Sequence, residues 1–305
     1  MRSRFRLILC LFTLLFTSTA WSEQSLLISP PQLEAQLNTL RIIDLRAPNK
    51  YQAGHIPHAI NIPFAKFNRT KNGVEGFVIS PQQFQTLMEQ HGIKNSDAVA
   101  LYSDWAYLEA ARIYWVFDLY GHHKIQVLNG GIQAWKKQKR PLETATNTLP
   151  PSHYLVEIHP QKLATKLQTL IAAKASPNFV LVDARPVDQY EGKTSLTDRK
   201  GHIPNAINLP WYDLVQNRDA QDGYDHEDKP TKMVDWQQLQ QKLNQLTQLP
   251  KDKKIIVYCN GGMESSILYM ALKQLNRDAS LYDGSWFEWS KDLSLPVKNP
   301  SQEKP

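Results

Sequence analysis

The sequence predicts an α/β protein of two tandem domains, each a mainly parallel sheet with helices on both faces. Two observations carry this reading. One block of residues occurs twice, and within each copy short β-branched runs alternate with stretches of helical period. The first block reads Ile42-Ile43-Asp44-Leu45-Arg46, then Tyr51, then Gly54-His55-Ile56-Pro57-His58-Ala59-Ile60-Asn61-Ile62-Pro63. The second reads Leu181-Val182-Asp183-Ala184-Arg185, then Tyr190, then Gly201-His202-Ile203-Pro204-Asn205-Ala206-Ile207-Asn208-Leu209-Pro210. Asp to Gly is 10 residues in the first and 18 in the second, so the second copy carries an eight-residue insertion. Later segments match too. Val99-Ala100-Leu101-Tyr102-Ser103 parallels Ile255-Ile256-Val257-Tyr258-Cys259, and Leu128-Asn129-Gly130 with Trp135 parallels Tyr282-Asp283-Gly284 with Trp289. The chain is a duplication of one domain.

Taken in order, Phe179-Val180-Leu181-Val182 and Lys254-Ile255-Ile256-Val257-Tyr258 read as buried strands. Ser265 to Asn276 places Ile267, Leu268, Met270, Ala271, Leu272 and Leu275 on a helical face. Strands alternating with helices imply a parallel sheet covered on both sides. In such sheets the reactive crevice lies beyond the carboxyl ends of the strands, and Cys259 directly follows one. The polar, Pro-rich stretch 144–152 (TATNTLPPS) reads as a linker. The domains then span 23–143 and 153–297, with a polar tail over 298–305.

The composition is that of an ordinary globular protein: 305 residues, 42% apolar and 21% charged. Residues 1–22 stand apart. Arg2, Arg4 and Arg6 precede an apolar run from Leu7 to Phe16 and then Ala20-Trp21-Ser22. This is the order of a secretory signal peptide cleaved after Ser22, which places the mature protein in the periplasm or outside the cell. The run falls short of the ~20 apolar residues of a membrane span, so no stable membrane insertion is expected once it is removed. Removing it lowers the formal charge from +6 to +3, because the three Arg leave and no acid goes with them. The argument for a nucleic-acid partner weakens accordingly.

The chain has two cysteines, Cys10 and Cys259. That count excludes a disulfide scaffold and a metal site built on thiolates; neither metal nor cofactor is expected. Cys10 leaves with the leader. A lone thiol in an oxidising compartment is exposed to unwanted oxidation, so its retention asks for a function. The segment from Val257 to Ser266 (VYCNGGMESS) reads as strand, Cys, glycine turn and helix start. Gly261 and Gly262 let successive N–H groups converge, and Ser265 or Ser266 is placed to cap the helix. A sulfur at the centre of such a bowl is expected as a thiolate with a depressed pKa. The plain alternative is a buried Cys acting as a small hydrophobe.

These duplicated blocks, the Cys259 loop and Tyr282-Asp283-Gly284-Ser285-Trp286-Phe287-Glu288-Trp289 resemble a tandem rhodanese-type sulfurtransferase of the thiosulfate/3-mercaptopyruvate sulfurtransferase family. The resemblance covers essentially the whole mature chain. It implies two doubly wound rhodanese-like domains, with catalysis in the second. Cys259 would take a sulfane sulfur from a donor, thiosulfate first or else 3-mercaptopyruvate. It would then pass the sulfur to a thiophilic acceptor such as cyanide or a thiol, a protein thiol included. The persulfide and anion cradle would be Asn260, Gly261, Gly262, Met263, Glu264 and Ser265. In the first domain Ser103 stands in the Cys position, followed by Asp104-Trp105-Ala106 without a glycine, so that copy is structural or regulatory.

Both copies keep Gly-His-Ile-Pro although only one keeps the Cys, so His55 and His202 read as turn and packing residues. Asp44 with Arg46, and Asp183 with Arg185, read as internal pairs, and Trp286 and Trp289 as packing. Candidate substrate-binding residues are Arg185, Lys193 and Arg199, the last two from the insertion. Three departures bear on the donor. Asn260 and Gly261 replace loop cations, Gln189 replaces an Arg, and Glu264 replaces a small hydroxyl. Exchanging cations for neutral groups costs a dianion ~1–4 kcal/mol in a partly buried site. A Cys-dependent phosphatase or arsenate reductase needs Arg six residues after the Cys, where this chain has Ser265. A non-catalytic alternative is a periplasmic persulfide carrier with little turnover. Expression with the leader is expected to yield a mature chain beginning at Glu23, which N-terminal sequencing checks.

Overall fold

The computed structural model describes residues 25–104, 108–216, 232–233, 238, 241 and 252–302. The leader expected over 1–22 lies outside them. In chain order the first domain contains β1 (Leu27–Ile28), α1 (Pro30–Glu34), β2 (Arg41–Asp44), α2 (Pro48–Gln52) and β3 (Ile60–Asn61). Then come β4 (Asn68–Lys71), β5 (Val74–Val78), α3 (Pro81–Gln90), β6 (Val99–Tyr102), α4 (Leu108–Leu119), β7 (Ile125–Leu128) and α5 (Gly131–Lys137). The second contains β8 (Leu163–Ala164), α6 (Lys166–Ala173), β9 (Phe179–Asp183), α7 (Val187–Tyr190) and β10 (Ala206–Asn208). It continues with β11 (Val215–Gln216), β12 (Lys232–Met233), β13 (Lys254–Tyr258), α8 (Glu264–Gln274), β14 (Ala279–Tyr282) and α9 (Ser285–Lys291).

Each domain is built on a five-stranded, all-parallel sheet. The orders are β1-β7-β6-β2-β3 and β10-β9-β13-β14-β8. Read from the opposite edge, the second order repeats the first element for element. The two-domain α/β fold is therefore as the repeat implies. The central strands are apolar because helices cover both faces: Ile255, Ile256 and Val257 are all fully buried.

The repeated blocks do structural work at matching places. Arg46 Nη2 donates to Asp44 Oδ2 at 2.6 Å and to Gly54 O at 2.8 Å. Arg185 donates to Asp183 and to Gly201 O at the same two distances. His55 stacks on Tyr51 and bonds its carbonyl through Nδ1, as His202 does on Tyr190. His202 also pairs through its backbone with Lys298. A Cβ at Gly201, whose φ is +105°, would lie 2.1 Å from the Lys298 carbonyl oxygen, so only glycine fits. The first residues of the polar tail thus close against the second domain, and Ser301 continues this by donating to Gly192 O at 3.0 Å. In the 144–152 segment, Asn147 donates to Ala59 O at 3.1 Å and Leu149 packs on the core.

One apolar core runs through both domains, joining Leu101 and Val127 of the first to Val257 and Ile267 of the second. Its seam is α4 against α8. From Ala110 to Leu119 every residue of α4 is buried, because the first sheet lies on one side and α8 on the other. Polar bonds cross the same seam. Arg112 Nη2 pairs with Asp283 Oδ1, Val78 N donates to Asp283 Oδ2 at 3.0 Å, and Tyr269 Oη donates to Asp118 Oδ2 at 2.5 Å. Arg112 and Asp283 are nearly excluded from water, so removing one leaves the other buried and unpaired. Arg112→Ala is expected to lower unfolding stability by about 3 kcal/mol, measurable by urea denaturation.

Candidate active site

The reactive loop begins where β13 ends and closes where α8 begins. The turn at Gly262 needs glycine: its φ is +83°, and a Cβ there would lie 2.8 Å from Arg112 Nη1. The loop is fixed from outside by the start of α9. Trp286 N donates to Cys259 O at 3.0 Å, and Phe287 N donates to Asn260 O at 2.9 Å. Ser285 Oγ accepts from Cys259 N at 3.3 Å while donating to Tyr282 O at 2.7 Å.

At the centre, Cys259 Sγ accepts a hydrogen bond from Gly262 N at 3.1 Å. The Gly261 and Ser265 amides and the Ser265 hydroxyl also favour a charged sulfur. Ser265 and Ser266 do not cap α8 as the sequence suggested. The helix starts one residue earlier, with Met263 in the cap position, and Ser266 Oγ donates back to Gly262 O at 2.6 Å. Ser265 Oγ is buried with no conventional partner, as are Asn260 Oδ1 and Arg112 Nη1. Hydrogen-bonding capacity is therefore left over at Asn260 and Ser265 and at Arg112 beside the loop.

The depressed pKa expected for Cys259 is overturned in this state. Burial, with the Glu264 charge beside it, pushes the thiol up to about 12 against the pull of the amides. The sulfur has 0% exposure, and the cradle compensates only in part. Burial also raises the pKa of the Glu264 carboxyl, opposed by hydrogen bonds from the Cys259 thiol and the Asn260 amide.

A cleft of about 670 Å³ opens over this loop between the domains. Asn260, Gly261, Met263 and Glu264 form one wall, and Arg69 and Arg112 of the first domain form part of the other. Leu196 from the insertion and Phe287 from α9 complete its rim. Cavities of about 220 and 350 Å³ lie in the first domain around Leu149, away from Cys259.

The candidate substrate residues are elsewhere. Arg185 is fully buried, bound to Asp183, and lies 4.4 Å from the Trp286 ring centroid. Lys193 is exposed and paired with Glu191 at 2.5 Å. Arg199 donates to Asp292 O and Leu295 O, bracing the chain after α9. None of the three lines the cleft. Arg112 does, and sequence reasoning passed over it; its one signal was a lone Arg within the apolar run of α4. In the first domain, Asp104 beside Ser103 pairs with Lys50 at 2.5 Å, while Trp105 and Ala106 lie outside the described residues. Outside the cleft lining, Asp118, His123 and His159 bring one ligand atom each within 4.8 Å of one another. Asp118 there is already bonded by Tyr269 and by Lys273 at 3.3 Å.

Known proteins resemble the chain throughout. Residues 29–138 and 164–292 each match the rhodanese-like domain. The sulfur carrier protein TtuD of Thermus thermophilus is 32% identical over 81% of this chain and 86% of its own. The 3-mercaptopyruvate sulfurtransferase of Escherichia coli is 26% identical, over 84% of this chain and 87% of its own. A Saccharopolyspora erythraea protein, provisionally named a thiosulfate sulfurtransferase, is 29% identical over 92% and 99%. Among solved structures, SseA from Escherichia coli superposes with a TM-score of 0.73 at 23% identity, covering 86% of this chain and 99% of that one. Alkylation of Cys259 by iodoacetamide is expected to quicken about tenfold per pH unit from neutrality upward, with no plateau near pH 9. Mass spectrometry across a pH series checks this.

Proposed function

The chain belongs to the rhodanese-like family and is a sulfurtransferase; we propose that it works through a persulfide on Cys259, in the cleft between its two domains. The observation that carries this reading is the Cys259 sulfur at a strand end, bonded by the Gly262 amide, where the other copy of the fold has Ser103. In the first half-reaction the thiolate attacks the sulfane sulfur of the donor. The new S–S bond takes the thiolate pair, and the donor's former bond pair leaves with its remainder. In the second, the acceptor attacks the outer sulfur and Cys259 leaves as thiolate, so the enzyme returns unchanged.

The cradle consists of the Gly261, Gly262 and Ser265 amides with the Ser265 hydroxyl, which favour negative sulfur. Arg112 and Arg69 bring positive charge to the cleft from the first domain, so anionic donors such as thiosulfate or 3-mercaptopyruvate suit it. Those two donors are also the ones named for relatives of this chain. Acceptors are thiols or cyanide. A protein thiol is a further acceptor in this reading, supported by the likeness to a named sulfur carrier. The leader read over residues 1–22 supports export to the periplasm or beyond.

Cys259→Ser is expected to abolish sulfur transfer from thiosulfate or 3-mercaptopyruvate to cyanide. The wild-type protein mixed with donor alone should gain one sulfur on the peptide carrying Cys259, by mass spectrometry. Loading without turnover would favour the carrier reading, and no loading with either donor would exclude the persulfide.

A further inference from the structure

Glu264 is the least expected residue in the cleft. It opens α8, lines the cavity, and its carboxyl reaches back to Asn260, the residue next to Cys259. Its Oε2 accepts from Asn260 N and Asn260 Nδ2, both at 3.5 Å, the outer limit of a hydrogen bond. The carboxyl is thus loosely held, and it is near enough to Cys259 for each group to shift the other's proton affinity. The other charges around it are committed or more distant. Asp183 and Arg185 lie behind the loop, locked to each other. Arg112 reaches the loop from α4 but is bonded to Asp283, and Arg69 and Glu75 stand on the hairpin side of the cleft.

For thiosulfate the one use of such a carboxyl is to accept the Cys259 proton, and its charge works against that gain by holding the thiol pKa up. Sulfite leaves with its electron pair and needs no proton, while the carboxylate repels the incoming dianion. A donor that surrenders sulfur from carbon has the opposite need, because its carbon must be protonated once the C–S bond breaks. We propose that Glu264 is the general acid–base of the first half-reaction, moving the Cys259 thiol proton to the donor carbon that loses sulfur. This rests on Cys259 being the nucleophile, as proposed above.

For a 3-mercapto-2-oxo acid the step balances without any further reagent. Glu264 carboxylate takes the proton from Cys259 Sγ, and the resulting thiolate pair forms the S–S bond to the donor sulfur. The C–S pair passes to carbon as an enolate, which Glu264 then protonates to give the 2-oxo acid. The sulfane sulfur keeps its own hydrogen. The two sulfurs of the new S–S bond each give up one electron, the donor carbon is reduced by those two electrons, and Glu264 ends as it began. The shifts of both groups suit this exchange: burial makes Glu264 a better base than a free carboxylate, and the thiol does not ionise unaided near neutrality.

The test is single-turnover persulfide formation on Glu264→Gln and Glu264→Asp, with 3-mercaptopyruvate and thiosulfate in parallel, from about pH 6 to about pH 9. With 3-mercaptopyruvate, Glu264→Gln is expected to slow loading about 100-fold and to erase the acidic limb of its pH profile, with partial recovery in Glu264→Asp. With thiosulfate the same Gln variant is expected to load about tenfold faster, because a repelling charge has gone. Equal losses with both donors would mean a structural role and overturn the proposal. So would an undiminished rate with 3-mercaptopyruvate, or a wild-type protein that loads from thiosulfate alone. A wild-type protein that loads from neither donor would overturn the Cys259 reading itself, a distinct result.

Discussion

Asp283 is the point on which two domains and one loop depend. One carboxylate oxygen takes Arg112 Nη2 and the other takes the Val78 amide, so α4 and the β4–β5 hairpin of the first domain are held to the end of β14. Its backbone carbonyl meanwhile crowds Gly262, lying 3.2 Å from where a Cβ would sit. The turn that presents an amide to the Cys259 sulfur is therefore shaped partly by the domain seam. The duplicated position in the other copy, Asn129, also reaches across, accepting from Met233 N at 3.3 Å.

This arrangement gives the degenerate first domain a physical task. It has no sulfur to carry, yet it walls the cleft and sets a guanidinium against the loop with one nitrogen unpartnered. The catalytic loop itself has few cationic resources, since Asn260 and Gly261 stand where cations would serve an anion. The arginines lining the cleft come from the neighbouring fold, while the Gly262 amide of the loop itself bonds the sulfur. The walls of the cleft are divided between the two copies.

The strand–loop–helix around Cys259 was readable because its signals are local: a β-branched run, two adjacent glycines, and an apolar helical face. The two-domain parallel architecture followed from the repeat for the same reason. Arg112 was not readable, because its partner is 171 residues away and only the docked helices bring them together. Arg185 and Arg199 show the converse. Their charge suggested substrate, but neighbouring carboxylate and carbonyl oxygens already take it up. The thiol pKa failed as an expectation because the amides that lower it lie within the loop, whereas the burial that raises it comes from packing across the whole domain.

The shared core has a consequence for how this chain can be divided. Ser265 to Leu272 of α8 are buried without exception, and α4 supplies much of that cover. The catalytic half on its own would present this helix to water as one broad apolar face, the kind of surface that drives association. Although the sequence is plainly two copies of one unit, the largest apolar cluster runs through both halves, and each half keeps a smaller cluster of its own. Duplication has given each copy a second task, which is to cover the apolar helix that the other cannot cover alone.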